Sequence, residues 1–282
     1  RSDDSGSTWA ILPDSLPSDV HPSAITDVPG NVCHLLLGTG TSTPGRGPML
    51  FKSSDCGLSF SQVGAGLPTD VAVKAIAFDP ADPSHNHVLV GIDGDSSSEG
   101  DAIWTSTDGG LTFVASTSNF SPGFSYRLEV DALSFGLGGH VWAIVGSYSV
   151  AHSTDAGENW NIVSIVPGHE TVVADPLVAG RAWAGGSNTG NQVERIDFDG
   201  SLYTATNYND GLTGNAGYAP GGIAVPAGVA RLAWRGGTTP KLFASTEGSG
   251  VFALTDGASP MWHAAAASPA GAVIRALAIH PA

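Results

Sequence analysis

Apolar residues in this chain come in short runs separated by clusters of Gly, Pro, Asn, Asp and Ser, and no stretch sustains the 3.6-residue period of a helix. One set shows the order well. Val73–Phe78 ends in Asp79-Pro80, Val88–Ile92 is apolar throughout, residues 103–105 run into a polar turn, and residues 111–115 leave it. Short bounded runs rich in Val, Ile and Thr predict β-strands. Comparable sets begin near Ala24, Leu128, Thr171 and Val229, which gives five sheets of four strands. Two pieces remain. Residues 272–282 read as a first strand ending in His280-Pro281, and residues 1–13 read as the end of a third strand plus a fourth. Joined, they predict a sixth sheet shared between the two ends, a closure that removes open edges.

The polar turns themselves repeat. Ser2, Asp4, Gly6 and Trp9 fit the pattern Ser-x-Asp-x-Gly-x-x-aromatic. Ser53, Asp55, Gly57 and Phe60 fit it again, as do Ser106, Asp108, Gly110 and Phe113, and Ser153, Asp155, Gly157 and Trp160. Looser copies surround Asp199 and Asp256. The repeat length is about 50 residues, the size of one four-stranded propeller blade with its loops. In such a turn the carboxylate accepts backbone N–H groups, the glycine supplies a positive φ, and the aromatic buries a large apolar area.

This pattern resembles the Asp-box (BNR) repeat of sialidases, sortilin-type receptors, photosystem II assembly propellers and xyloglucan-hydrolysing double propellers. The resemblance implies an all-β fold. The fold it implies is a single β-propeller over residues 1–282, of about six four-stranded antiparallel blades, with the ring closed by N- and C-terminal strands in one blade. In that family the turn joins the third and fourth strands on the outer rim. The resemblance therefore gives the sixteen repeat-turn residues named above a structural role, and function has to be argued from a site elsewhere.

Composition narrows the partners. The chain has 26 acidic and 11 basic residues, a formal net charge of −15. Such a surface repels phosphate backbones and anionic lipid, which argues against nucleic acid and membrane surfaces as partners. No apolar run reaches the about 20 residues of a membrane span. No signal peptide is visible, and the chain opens inside a repeat turn, as a mature or trimmed product would.

Propellers bind ligands with the loops that join blades or join the second and third strands of a blade. In this chain those loops carry Asp19, His21, Arg46, Asp70, Tyr126, Arg127, Glu129, His169, Glu170, Asp210, Tyr218 and Glu247. Carboxylates there could form the acid–base pair of a glycoside hydrolase, and tyrosines suit sugar stacking. They equally read as solvated loop residues of an acidic protein. The Arg-Ile-Pro type motif of sialidases is missing. The texture of Ala75-Ile76-Ala77-Phe78-Asp79-Pro80 is closer to the xyloglucan-hydrolysing enzymes, which cleave in a cleft between two propellers. The expectation is an extracellular propeller that recognises, and in its enzymatic version hydrolyses, a carbohydrate. The alternative is a non-enzymatic protein-interaction or assembly propeller.

Two further features carry chemistry. Asp93, Asp95, Glu99 and Asp101 crowd one loop, where Ca²⁺ is the cofactor to consider against a plain acidic hairpin tip. No other cofactor is expected. Cys33 and Cys56 are the two cysteines, in the second strand and the repeat turn of one blade. Matching Cys33 to Val141 and Cys56 to Ala156 in a shorter hairpin makes them opposed or diagonal neighbours. That predicts a disulfide and an oxidising compartment, such as the cell exterior, the periplasm or the cell surface. Asn119-Phe120-Ser121 is a glycosylation sequon if the source is a secreting eukaryote.

Overall fold

The computed structural model describes residues 1–4, 7–12, 15–93, 102–118, 129–146, 149–164, 169–186, 193–212, 229–235, 241–246, 249–255, 260–265, 274 and 277. The chain forms two compact units, Arg1–Ser116 and Thr117–Ala282. The first holds two four-stranded sheets. One is β1 (Val20–Val28), β2 (Asn31–Thr41), β3 (Leu50–Ser53) and β4 (Ser61–Val63), in that order. The other is β5 (Val73–Phe78), β6 (Val88–Ile92), β7 (Ile103–Ser106) and β8 (Val114–Ala115).

The second unit opens with β9 (Thr117–Ser118) and continues with β10 (Val130–Phe135), β11 (Val141–Val145), β12 (Ser149–Ser153) and β13 (Asn159–Ser164). These make one sheet in the order β10-β11-β12-β13-β9, the last pairing parallel. Two four-stranded sheets follow: β14 (His169–Ala174), β15 (Arg181–Gly186), β16 (Val193–Phe198) and β17 (Tyr203–Asn207); then β18 (Val229–Arg235), β19 (Lys241–Thr246), β20 (Gly250–Thr255) and β21 (Met261–Ala264). Every other strand pair is antiparallel, as joining by short turns requires.

Burial follows the sequence pattern. The continuously apolar β6 and β11 are buried at every position, whereas the polar outer strand β17 is largely exposed. Within each unit neighbouring sheets share a core. Leu36 and Leu50 pack with Val73, Val88, Val90 and Phe113 in the first unit. In the second, Trp142 and Ile144 meet Val172, Ala182 and Ile196, and Trp183 meets Leu232, Phe252 and Trp262. Tight spacing shows at Gly38 on β2, where a β-carbon would lie 2.4 Å from the Val73 carbonyl oxygen at the start of β5.

The repeat turns join β3 to β4, β7 to β8 and β12 to β13, third strand to fourth in each case. In each, the serine hydroxyl donates to its aspartate and accepts the glycine N–H at 2.9 Å; the carboxylate in turn accepts from the residue four positions on. The glycines have φ of 84°, 87° and 95°. The residue before each, Cys56, Gly109 or Ala156, is left-handed too and donates its N–H to the carbonyl of Cys33, Asn86 or Gly139.

That last equivalence corrects the sequence register. The structural counterpart of Cys33 is Gly139, not Val141, because Val141 pairs with Ser153 as Leu35 pairs with Ser53. Val145 pairs with Ser149, so the β11–β12 register lies three positions away from one that would set Val141 opposite Ala156. Cys33 and Cys56 form the predicted disulfide.

Blade number is the second correction. The described residues form five blades, where the repeat count predicts about six. Ser2 and Asp4 still make their turn, with the Thr8 N–H donating to Asp4 at 2.8 Å. But the segment pairs with itself through Arg1 and Ala10, and Trp9 is 76% exposed where Trp160 is fully buried. The turn closes on local hydrogen bonds and needs no sheet, so the motif alone is no proof of a blade. The C-terminal half of the predicted sixth blade, residues 272–282, lies outside the described residues except Ile274 and Leu277.

Candidate functional site

Each blade has a turn end, which carries the repeat turn in the first three blades, and a loop end, where the second strand crosses to the third and one blade leads to the next. At the loop end of the first unit the structure brings together three residues predicted from sequence. Asp19 sits just before β1, Arg46 in the β2–β3 loop and Asp70 in the connection to β5. The Arg46 guanidinium grips Asp19 with two prongs, Nε to Oδ2 at 2.8 Å and Nη2 to Oδ1. The Asp70 carboxylate accepts the backbone N–H groups of Gly45 and Arg46, each at 2.7 Å. Its own N–H donates to the Gly47 carbonyl from a left-handed backbone, φ 64°. The Gln62 amide nitrogen spans the Arg46 and Pro48 carbonyls at 2.7 Å. These bonds clamp an otherwise irregular loop.

The clamp also fixes charge. The Arg46 hydrogen bond holds the Asp19 carboxyl at about 2, and the Gly45 N–H holds Asp70 below the usual carboxylate range. Both stay ionised near neutrality. His21 lies exposed on β1 opposite Gly40, beside the clamp.

In the second unit the predicted residues lie at three places. Glu129 precedes β10, half-buried, and its carbonyl accepts the Gly146 N–H at 2.7 Å. Glu170 is the second residue of β14. Asp210 is exposed, and its carbonyl accepts the Trp262 N–H at 2.8 Å, so its backbone ties the exit of one blade to the aromatic of the next. Tyr126, Arg127, Tyr218 and Glu247 lie outside the described residues, as do Asp95, Glu99 and Asp101 of the acidic loop. Asp93 ends β6 with its N–H on the Ala72 carbonyl at 2.8 Å. Among the described residues no three His, Cys, Asp or Glu side chains gather as a metal site.

Two polar groupings in this unit go beyond the sequence reading, which named only His169 of their members. The His169 Nε2 lies 3.2 Å from Glu194 Oε2, with the two residues 1% and 4% exposed. In the sequence Glu194 is one of three charged residues in Val193-Glu194-Arg195-Ile196-Asp197-Phe198, so nothing there singles it out as the buried one. The second grouping lies at the turn end. His140 Nδ1 and His152 Nε2 share a hydrogen bond at 2.9 Å, and His152 Nδ1 shares another with Tyr203 Oη at 3.0 Å. His152 is fully buried, stacked on Trp142 with ring centroids 4.0 Å apart. Burial, helped by the neighbouring His140, pushes the His152 imidazole down to about 3, so it is neutral and serves packing.

No protein-family model and no curated protein sequence matches the chain. Solved structures do match. An ancestral GH74 enzyme superposes with a TM-score of 0.63 at 18% identity, over 86% of this chain and 32% of that one. The GH74 xyloglucanase from Xanthomonas campestris gives 0.56 at 17% identity, over 84% and 38%. YCF48 bound to a D1 peptide gives 0.55 at 13% identity, over 89% and 68%. The chain thus spans about a third of the GH74 enzymes it resembles. At these identities the likeness speaks for architecture, and with the five sheets of antiparallel strands it shows that this chain has the β-propeller fold.

Proposed function

We propose that this propeller is a carbohydrate-recognition module that binds its ligand at the loop end of the blades. The observation that carries the reading is the clamp of Asp19, Arg46 and Asp70. It presents a fixed Asp19–Arg46 ion pair beside an ionised Asp70 carboxylate, the kind of ordered polar groups that hydroxyl recognition needs and that costs little ordering on binding. The same observation favours binding over hydrolysis by these residues. A glycoside hydrolase needs one carboxyl kept protonated as general acid, and both Asp19 and Asp70 are held ionised. The propeller likeness to a xyloglucanase is in keeping with a polysaccharide ligand. The Cys33–Cys56 disulfide supports an oxidising compartment, outside the cell or at its surface.

A glycan array followed by calorimetry tests the reading. Binding of at least one glycan class is expected, weakened about tenfold or more by Asp70→Ala, which frees two loop N–H groups, a loss of about 1.4 kcal/mol or more. The peptide bound to YCF48 defines the rival outcome: capture of a peptide or protein partner with no glycan bound at any concentration would overturn the carbohydrate assignment.

A further inference from the structure

The two histidines at the turn end of the second unit form more than a packing contact. His140 between β10 and β11, His152 on β12 and Tyr203 on β17 make one hydrogen-bonded chain, with 2.9 Å between the rings and 3.0 Å to the phenol. The chain crosses from the third blade to the fourth. The two imidazole rings are parallel, and Phe198 of β16 meets His152 edge-on with centroids 5.1 Å apart. His140 also reaches the β14–β15 turn, where a β-carbon at Gly180 would lie 3.6 Å from its Cε1. His152 is fully buried and His140 half-buried, so one ring is sealed in the core and the other touches solvent.

Proton counting sets how this chain responds to acid. A neutral imidazole has one N–H and one bare nitrogen. With both rings neutral, each contact holds one proton. In one sense Tyr203 donates to His152 Nδ1 and His152 Nε2 donates to His140 Nδ1; in the other sense every donor is reversed. One added proton is tolerated. It enters at His140, whose Nδ1–H then donates inward, and Tyr203 becomes the acceptor. A second proton, on His152, sets one N–H against another across the 2.9 Å contact, and no arrangement satisfies both. It also leaves a cation buried away from water.

The charged groups of the surrounding elements are engaged elsewhere. Asp155 and Asp199 accept N–H groups of their own turns, Asp175 accepts those of Leu177 and Val178, and Arg181 and Arg195 bind Asp197. Asp131, Glu170 and Glu194 stand toward the loop ends of β10, β14 and β16, and Glu158 is exposed. Burial and the neighbouring imidazole are accordingly what lower His152, and burial is what lowers His140. His152 sits at about 3 in the closed chain against 6.5 when free, so letting the ring out becomes easier as pH falls below 6.5.

The turn at the far end of the chain is loosely held. In the repeat turns a β-carbon at Gly57 would lie 3.5 Å from Leu35, and one at Gly110 would lie 3.0 Å from Leu36. At Gly200, the glycine of the β16–β17 turn, nothing lies within 4 Å, and Leu202 beside it is 67% exposed. Phe198 and Tyr203, which flank this turn, both pack on His152 of the third blade. We infer that His140, His152 and Tyr203 form an acid-operated latch, which holds the β16–β17 turn on the third blade while the rings are neutral and releases it once both carry protons. The latch is independent of the carbohydrate reading.

Hydrogen exchange of the full chain, read by mass spectrometry and corrected for the intrinsic pH dependence of exchange, tests the latch. Residues 198–207 should exchange about tenfold faster or more at about pH 5 than at about pH 7, and faster there than the strands of the fifth blade. His152→Asn should remove that pH dependence. Tyr203→Phe keeps the ring and deletes one hydrogen bond, so it should speed exchange of the same segment about fivefold already at neutral pH. Exchange of 198–207 that does not change with pH in the parent, or a pH dependence that His152→Asn retains, would overturn the latch. Equal exchange of this segment and the fifth blade at the lower pH would show the whole unit opening together and overturn it too. Should His152→Asn fail to fold, Tyr203→Phe decides: unchanged exchange at neutral pH would overturn the latch.

Discussion

A single serine hydroxyl organises each repeat turn. At Ser106 it accepts the N–H of Gly110 and donates to Asp108, whose carboxylate also takes the N–H and hydroxyl of Thr112. Asp108→Ala removes the acceptor for these donors at a half-exposed site where water replaces part of what is lost. A loss of about 1–2 kcal/mol in urea unfolding is expected, with carbohydrate binding unchanged; a larger effect on binding than on stability would contradict the structural role. His152 gives a pH signature of the opposite hydrogen-bonding logic. Its folded value is pushed below 6.5 to about 3, so the unfolded chain takes up a proton first as pH falls. Its contribution to stability is therefore complete above about pH 6.5 and is lost progressively as pH drops toward 3, at up to about 1.4 kcal/mol per pH unit. His152→Asn should flatten unfolding free energy between pH 6.5 and 4.5; an unchanged slope would refute a neutral buried imidazole. At this scale the repeat-turn residues were readable because their chemistry is local. His152 was not, because its neighbours His140 and Tyr203 come from other strands and its burial is a property of the packed sheets.

Strands show where local reading stops. Their existence follows from apolar runs and turn residues, and all five blade starts were legible to within a few positions. Register was legible less far. Spacing brings Cys33 and Cys56 near each other, but the match of Cys33 to Gly139 depends on the strand register, in which Val141 pairs with Ser153 as Leu35 pairs with Ser53. The slips in first-strand pairing at Lys74, Asp131 and Glu170 leave no mark in the sequence, since they are set by the register of the partner strand. Two predictions belong here. The disulfide closes a loop with a sequence separation of 23, so removing it by Cys33→Ala with Cys56→Ala should lower stability by about 3 kcal/mol. Two reactive thiols per parent chain, titrated in denaturant without reductant, would show that no such bond exists. Gly38 has room for no side chain against the Val73 carbonyl, so Gly38→Ala should cost about 1–3 kcal/mol by overpacking. The comparison is Gly30→Ala, where no atom lies within 4 Å and the cost comes from a φ of 77° alone. Equal losses in thermal unfolding would count against close sheet approach at Gly38.

The chain as a whole carries a net charge of −15, from 26 acidic and 11 basic residues. An excess of like charge opposes compaction. Raising salt from 0.01 to 0.15 M shortens the screening length from about 30 to about 8 Å, so the melting temperature should rise over that range; a fall would mean that attractive pairs outweigh repulsion. The number of blades belongs to the scale of the whole molecule: five among the described residues, against about six from the repeat count. The N-terminal turn closes on its own hydrogen bonds, with Trp9 largely exposed. That same independence bears on how the protein folds. Packing one sheet against the next within a unit demands contacts between residues far apart in the sequence, and such contacts form slowly. The hydrogen bonds that define each repeat turn close between residues at most four apart. These turns can therefore form on the timescale of a hairpin and hold the third and fourth strands of each blade side by side while the distant contacts are still being found. They are expected to act as kinetic nuclei: in stopped-flow refolding, Asp108→Ala and its equivalents should slow folding more than they speed unfolding, giving φ-values near 1 at the turns and low ones at the first strands.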